Sequence, residues 1–162
     1  MTTPFSTIPG VLIRPLGRHT DQRGWLIEMF RRDELPNGLE PVMGYLSSTK
    51  PGTSRGPHEH REQTDIFCFT GTSSFRLYLW DNRPENQSHG AREVVDLPMG
   101  QYFSVVIPPG VVHAYKNIGN TDGVVMNFPD RLYAGPGRQE TVDEVRHEDD
   151  PDSPFHVEDE DV

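Results

Sequence analysis

Short hydrophobic runs recur along the chain and are separated by residues that form turns. The runs are rich in β-branched and aromatic residues, and several alternate between apolar and polar positions, most clearly at 74–80. Runs of this kind, divided every ten residues or so by Gly, Pro or Asn, are typical of an all-β sandwich or barrel. The pattern predicts strands at 11–14, 25–30, 42–47, 65–70, 74–80, 93–97, 102–107, 111–116 and 123–128.

Helical signals are sparse. The segment 31–35 resembles a single helical turn, and a short helix is expected near 142–146 within a polar C-terminal third. No internal repeat and no change of composition marks a domain boundary before the end of the chain. The length suits one core, so we expect a single domain over 1–157 and an acidic tail over 158–162.

The formal net charge is −10, from 25 acidic and 15 basic residues. Eight of the acidic residues lie in 148–162, which contains no basic residue, so the rest of the chain is close to neutral. This charge does not suit binding to nucleic acid or to an anionic membrane surface. Cys68 is the single cysteine, and neither a signal peptide nor an apolar run of ~20 residues is visible. We therefore expect a cytoplasmic protein that binds neither nucleic acid nor membrane.

Two stretches contain residues that can carry chemistry. The first ends in His58-Glu-His60, and the second has a Pro-Pro-Gly turn just before His113. Residues two apart on an extended strand point to the same face, so His58 and His60 are predicted to project together, and Asp65 could join them. Three imidazoles and a carboxylate converging inside a barrel would form an open site for a divalent metal such as Fe, Mn, Zn or Ni.

Both stretches resemble the two sequence motifs of the cupin superfamily, which consists of small β-barrels with a jelly-roll topology. The pattern G-x5-H-x-H is met from Gly52 to His60, and P-x-G-x2-H-x3-N from Pro108 to Asn117. The resemblance implies an all-β cupin jelly-roll barrel with short peripheral helical turns. Cupins host many reactions, so these motifs predict the fold more sharply than the function.

A narrower resemblance spans about 10–155 and is to the dTDP-4-dehydrorhamnose 3,5-epimerase family of cupins. The family segment D-x-R-G-x-F-x-E is similar to 21–28, R-G-L-H to 55–58, and D-x-R followed by S-P-T-x-G to 81–90. The closing part of the family pattern resembles 130–151. Members are homodimers that exchange an N-terminal strand and act without a cofactor on a nucleotide-linked 4-keto-6-deoxy sugar.

The resemblance implies roles for particular residues of this chain. His58 would be the base that removes the proton next to the ketone, and Asp150 the carboxylate that orients it. The protein is accordingly expected to be an isomerase of a pathway like that of dTDP-rhamnose. The residues implied to contact the nucleotide sugar are Arg23, Glu28, Arg55, His60, His113 and Tyr133.

The chain departs from the family pattern at several positions. The catalytic Tyr of the family falls at Asn127, which cannot act as a general acid. The Gln and Asn that read the nucleotide base fall at Met43 and Tyr45, and the Lys that stabilises the enolate falls near Thr64 or Asp65. The residues that could supply a replacement acid are Tyr102, Tyr115 and Tyr133.

These departures leave other functions open. His60 stands where the family has Gln, which favours a divalent-metal cupin enzyme with the three histidines and Asp65 as ligands. A non-catalytic sugar-binding cupin is a further alternative, because the loss of the acid at Asn127 would be harmless there. The stretch 55–60 is also similar to the R-G-x-H-A-H of nucleotide-sugar 3,4-ketoisomerases, in which two His shuttle protons between adjacent carbons. That similarity supports sugar-isomerase chemistry in general.

Overall fold

The computed structural model describes residues 5–158, which form mostly antiparallel β-strands. The strands are β1 Leu12–Pro15, β2 Arg18–Asp21, β3 Gly24–Ile27, β4 Tyr45–Thr49, β5 Ser54–Glu59, β6 Asp65–Phe69, β7 Phe75–Asp81, β8 Arg92–Leu97, β9 Phe103–Ile107, β10 Val111–Asn117, β11 Gly123–Asn127 and β12 Val145–Arg146. One five-stranded sheet has the order β1-β9-β6-β11-β4 and the other β12-β5-β10-β7-β8, while β2 and β3 form a separate hairpin. The predicted all-β jelly-roll fold is confirmed.

The core lies between the inner faces of the two sheets. Alternate residues of β7 point inward, and Phe75, Leu77 and Leu79 are each at most 1% exposed. Tyr115 of β10 meets Phe69 of the opposite sheet edge to face, with ring centroids 5.4 Å apart. Burial of each such side chain contributes about 1.5–3 kcal/mol, so this core holds the strands of the site in a fixed register.

The C-terminal segment packs on the outer face of β7. Phe155 contacts Trp80 there, with ring centroids 5.8 Å apart. The predicted acidic tail begins with Glu158, whose carboxylate lies 3.5 Å from the guanidinium of Arg92, and its residues 159–162 lie outside the described ones. This part of the chain is therefore held against the barrel as far as Glu158.

Every predicted strand overlaps an observed one, and the helical turn at 31–35 is confirmed as a 3₁₀ turn at Arg32–Glu34. The helix expected near 142–146 is wrong. That segment instead forms β12, because the free edge of β5 offers it backbone hydrogen bonds, and a 3₁₀ turn follows at His147–Asp149. Within the described residues, helices are too short and too polar to cross a membrane.

Candidate active site

A wide cleft of about 1270 Å³ opens between the two sheets and the segment that follows β11. Ligand pockets in proteins usually measure about 300–1,000 Å³, so this cleft has room for a molecule as large as a nucleotide sugar. The residues singled out in the sequence that line it are Met43, Tyr45, Arg55, His58, His60, Tyr115 and Tyr133.

The pairing of β5 with β10 places His58 directly opposite His113, and their ring centroids are 4.5 Å apart. Gly56 makes this close approach possible. A Cβ on it would meet the carbonyl oxygen of His113 at 2.5 Å, and its φ of +81° is one that side chains disfavour. Gly110 donates its N–H to the carbonyl of His60 at 2.9 Å. The glycines of the two motifs thus bring all three histidines together, as predicted from the sequence.

His60 and His113 are oriented by backbone carbonyls. Nδ1 of His60 contacts the carbonyl oxygen of Asp143, and Nδ1 of His113 lies 3.0 Å from that of Val111. A carbonyl oxygen can only accept, so both Nδ1 atoms carry hydrogen. The two Nε2 atoms consequently face inward, toward the same oxygen of Asp65, at 3.1 and 3.3 Å.

Asp65 is the buried carboxylate of this cluster, 1% exposed. Its Oδ1 accepts hydrogen bonds of 2.9 Å from the side-chain amides of Gln63 and Asn127. Within the described residues, neither Asp65 Oδ2 nor His113 Nε2 has a partner with hydrogen-bond geometry. A carboxylate oxygen that faces imidazole lone pairs requires a proton or a cation between them.

The pKa shifts show where that positive charge resides. Burial lowers the pKa of His60, but the contact with Asp65 outweighs it and raises the pKa to about 9. Burial raises the pKa of Asp65, whereas the contacts with His113 and His60 hold it well below its usual range. Burial, followed by the neighbouring His113, lowers the pKa of His58 to about 2. A neutral His58 therefore stands beside a cationic His60 at neutral pH.

Two glutamates, and not Asp150, lie beside His58. Oε1 of Glu144 and Oε2 of Glu148 are each 3.9 Å from Nδ1 of His58. They flank β12, which pairs with β5 so that Arg146 stands opposite His58. Asp150 follows the 3₁₀ turn, is exposed, and its Oδ1 accepts the backbone N–H two residues on. The predicted pairing of Asp150 with His58 is thus not formed.

Two anchors that the sequence analysis missed hold this segment on the barrel. Oε1 of Glu59 accepts hydrogen bonds from Nε2 of His147 at 2.9 Å and from the side-chain amide of Asn82 at 2.8 Å. The carboxylate of Asp143 accepts three backbone N–H groups from 61–63, at 2.8 to 2.9 Å. The contacts of His147 and Asp143 join residues 80 to 88 positions apart, so no local sequence signal could have revealed them.

Asn127, at the position of the family's catalytic Tyr, is 1% exposed and fully engaged. Its Oδ1 accepts the N–H of Ile66 at 3.1 Å, and its Nδ2 donates to Asp65 and, at 2.8 Å, to the hydroxyl oxygen of Tyr45. Tyr45 stands opposite Asn127 in the pairing of β4 with β11, and it lines the cleft. A phenol hydroxyl therefore lies next to the position that lacks one.

The chain is similar to one particular family of cupins. The model of the dTDP-4-dehydrorhamnose 3,5-epimerase family matches residues 6–150. The chain belongs to this family. Its members are sugar-nucleotide epimerases, so the protein is classed with the isomerases.

Relatives of the epimerase family agree with this assignment. A probable low-salt glycan biosynthesis epimerase, Agl13, of Haloferax volcanii is 34% identical over 128 residues, which are 78% of this chain and 81% of that protein. The spore coat polysaccharide biosynthesis protein SpsL of Bacillus subtilis is 32% identical over 127 residues, covering 78% and 82%. The crystal structure of a dTDP sugar isomerase from Desulfovibrio desulfuricans G20 superposes with a TM-score of 0.75 at 25% identity, covering 91% of this chain and 90% of that one.

Three residues that the family resemblance predicts as substrate contacts do not line the cleft in this chain. Arg23 sits at the tip of the β2–β3 hairpin, where its side chain is 90% exposed and paired with Asp21. Glu28 follows the hairpin, lies 3.6 Å from Arg31 and lines a separate small groove. His113 is 1% exposed and lies behind His58. In a single chain, these three residues are not placed to touch a molecule in the cleft.

Arg55 is the epimerase-family residue best placed to meet a negative charge in the cleft. Its Nε donates to the hydroxyl of Thr49 at 3.0 Å, and its NH2 group donates to the carbonyl of Ser48 at 2.7 Å. Because both partners are neutral, they orient the guanidinium without cancelling its charge. Tyr133, 58% exposed, lies at the rim of the same cleft.

The histidine cluster also fits a divalent cation. His58, His60, Asp65 and His113 each offer one ligand atom, and these atoms all lie within 4.8 Å of one another. Three imidazole nitrogens and one carboxylate oxygen suit Zn, Fe, Mn or Ni. The Nδ1 bonds from two of the imidazoles to backbone carbonyls are of the kind that orient metal-binding histidines.

Proposed function

We propose that the protein is a cofactor-independent epimerase of a nucleotide-linked 4-keto-6-deoxy sugar, with His58 as the base that removes the proton next to the ketone. One observation carries this proposal. A neutral, 15% exposed imidazole lines the cleft, with two carboxylates 3.9 Å from its Nδ1. A neutral imidazole can accept a proton, and nearby carboxylates stabilise the cation that results. Glu144 and Glu148 thus take the part that the sequence predicts for Asp150.

His60 supplies positive charge for the enolate. Its ring centroid is 5.8 Å from that of His58, and Asp65 keeps it protonated. Removal of a proton next to a ketone places negative charge on the ketone oxygen, which a fixed cation stabilises. His60 thereby replaces the Lys that the family pattern has near Thr64 or Asp65, and His113 completes the support of Asp65.

Arg55 binds the diphosphate of the nucleotide, and Tyr133 contacts the substrate at the rim. Arg23 and Glu28 reach a nucleotide through a second copy of the chain, since the hairpin that precedes Glu28 exposes Trp25 and Leu26 at 58% and 59%. Exposed apolar side chains in one small element are typical of an interface. We accordingly propose a cytoplasmic homodimer that serves a pathway like that of dTDP-rhamnose.

Solvent exchange tests the proposal. The protein is incubated in D₂O with dTDP- and UDP-linked 4-keto-6-deoxy sugars, and NMR follows deuterium at the carbons next to the ketone. We expect wash-in by the wild type and a loss of roughly 10²–10⁴-fold in His58→Asn, with no loss in the matched control His89→Asn, an exposed residue outside the cleft. Absence of wash-in across the panel would refute an epimerase, and binding without wash-in would favour a sugar-binding cupin.

A metal enzyme is the second candidate, favoured by the convergence of four ligand atoms within 4.8 Å. A bound divalent cation would act as a Lewis acid on a substrate oxygen. Metal analysis of protein purified without a nickel column separates the two candidates. Stoichiometric Fe, Mn, Zn or Ni, lost in Asp65→Asn together with activity, would favour the metal enzyme over the cofactor-independent one.

A further inference from the structure

An inverting epimerase needs an acid on the side of the sugar ring opposite its base, and Asn127 cannot supply it. The hydrogen bonds of Asn127 show which neighbour can. A backbone N–H only donates, so the bond from Ile66 fixes Oδ1 as the acceptor and Nδ2 as the donor. Both hydrogens of Nδ2 are then given away, one to Asp65 and one to the oxygen of Tyr45. The hydroxyl hydrogen of Tyr45 must point elsewhere than toward Asn127.

We propose that Tyr45 is the general acid of this enzyme and that Asn127 is the positioning residue that holds its oxygen. This inference rests on the proposed function, because it assigns the second proton transfer of the same reaction. Tyr45 is 47% exposed as a whole residue, yet desolvation of its phenol raises the pKa to about 12, so the hydroxyl keeps its proton at neutral pH. The hydrogen bond from Asn127 acts in the opposite direction, since it stabilises the phenolate.

The positions of Tyr45 and His58 suit inversion. Tyr45 lies on β4 at the edge of one sheet, and His58 lies on β5 of the other, while both line the cleft. A sugar ring held between the two sheets would meet the imidazole from one side and the phenol from the other. Inversion of a carbon requires that the proton leave one face and arrive at the opposite face.

The other tyrosines are less well placed. Tyr115 is on β10, in the same sheet as His58, and its hydroxyl has a long contact of 3.4 Å with Ser47. Tyr133 lies in the loop after β11 and not on a strand, with an exposure of 58% against 47% for Tyr45, and Tyr102 packs against Trp25 outside the cleft. Tyr45 combines a position in the opposite sheet with a buried partner that fixes its oxygen.

The proton balance of the step is simple. The C–H bond next to the ketone breaks, its proton goes to His58, and its electron pair enters the enolate. A new C–H bond forms on the opposite face with the hydroxyl proton of Tyr45, and the O–H electron pair stays on the phenolate. His58 then releases its proton to water in the open cleft, and the Tyr45 phenolate takes up a proton from water, which restores the enzyme.

The test compares deuterium exchange with inversion in Tyr45→Phe, which removes one oxygen. His58 can still remove a proton and return a deuteron to the same face, so exchange with retained configuration should persist. Formation of the inverted epimer should fall by roughly 10²–10⁴-fold. The controls are Tyr115→Phe and Tyr102→Phe, in which the ratio of inversion to exchange should stay at the wild-type value.

Each outcome decides the matter. Exchange without inversion in Tyr45→Phe supports the assignment and also shows that the variant is folded. Inversion at the wild-type ratio refutes it, and so does joint loss of exchange and inversion, which would mean that Tyr45 only shapes the cleft. A wild type without exchange would instead refute the proposed function, and the assignment of the acid with it.

Discussion

Asp65 and Asp81 are both carboxylates that are 1% exposed, yet their surroundings differ. Both oxygens of Asp81 are occupied, since Oδ1 accepts from Nε of Arg83 at 2.8 Å and Oδ2 from NH2 of Arg83 at 2.9 Å and from the hydroxyl of Ser88 at 2.5 Å. Asp65 has one satisfied oxygen, while the other faces the imidazoles of His60 and His113. The buried charge of Asp81 is neutralised by Arg83, which stays protonated. The buried charge of Asp65 is balanced by imidazoles, which can lose a proton.

The difference suits a structural role for Asp81 and a role in the chemistry of the cleft for Asp65. The contact with Arg83 holds the pKa of Asp81 well below its usual range, and Arg83 also bonds the carbonyl of Pro9, so this cluster ties the N-terminal segment to the turn after β7. The charge of Asp65 keeps His60 cationic in the cleft. Asp81 lies in a stretch similar to the family pattern and Asp65 near a position that departs from it, and their surroundings link one to the fold and the other to the cleft.

Of the two aspartate substitutions, the one at Asp81 is expected to have the larger effect on stability. Replacing it by Asn removes the charge that balances Arg83, whose side chain is 15% exposed, and loss of one partner of a buried ion pair costs about 3 kcal/mol. Urea denaturation should show this loss, while kcat at a temperature where the variant is folded should match the wild type. A fall in kcat with unchanged stability would mean that Asp81 belongs to the site.

A dependence of stability on pH is also expected, and it arises in the Asp65 cluster. The raised pKa of His60 means that the folded protein holds a proton that the unfolded chain releases above pH 6.5. The stabilisation is therefore complete below pH 6.5 and is lost as the pH rises through about 9. The lowered pKa of His58 acts on the other side, where stability falls as the pH drops below 6.5 toward 2. Denaturation midpoints measured from pH 5 to 10 should decrease as the pH rises above 6.5, in the wild type and in Asp81→Asn. Midpoints that stay constant above pH 6.5 would contradict the charge on His60.

The smallest effect on stability at neutral pH is expected for Asp65→Asn. The new amide can donate to the inward Nε2 atoms of His60 and His113, so the free energy of unfolding should change by no more than about 1 kcal/mol. Without the carboxylate of Asp65, the burial that lowers the pKa of His60 is opposed only by the smaller contributions of Asp143, so the pKa should fall well below 9 in an NMR titration. The loss of stability at alkaline pH should shrink with it. A His60 pKa that stays high would disprove the role of Asp65.

Much of the fold was predictable because strand signals are local. Alternation and turn residues predict nine of the strands in the described residues but not β2 or β5, and the two glycine-containing motifs predict the meeting of His58, His60 and His113. The short β12 escaped prediction because two residues carry no periodicity, and it forms only where the edge of β5 is available. The expected helix near 142–146 failed for the same reason.

The parts of the site that escaped prediction depend on contacts distant in sequence. Glu144 and Glu148 reach His58 only because β12 pairs with β5, which a count along the family pattern to Asp150 does not reveal. By the family pattern, Tyr45 stands where the family has the Asn that reads the nucleotide base. Its link to Asn127 comes from the register of β4 on β11. Family patterns locate chemistry along the chain, whereas pairing decides which side chains share a cleft.

The central claim is that His58 removes a proton next to the substrate ketone without help from a metal. The most direct measurement is the rate of deuterium wash-in by protein treated with a chelator, for the wild type and His58→Asn side by side. The account predicts that the treated wild type keeps its rate within about twofold while His58→Asn is at least about 10²-fold slower. A rate that returns only when a divalent metal is added back, or one that His58→Asn leaves unchanged, would contradict it.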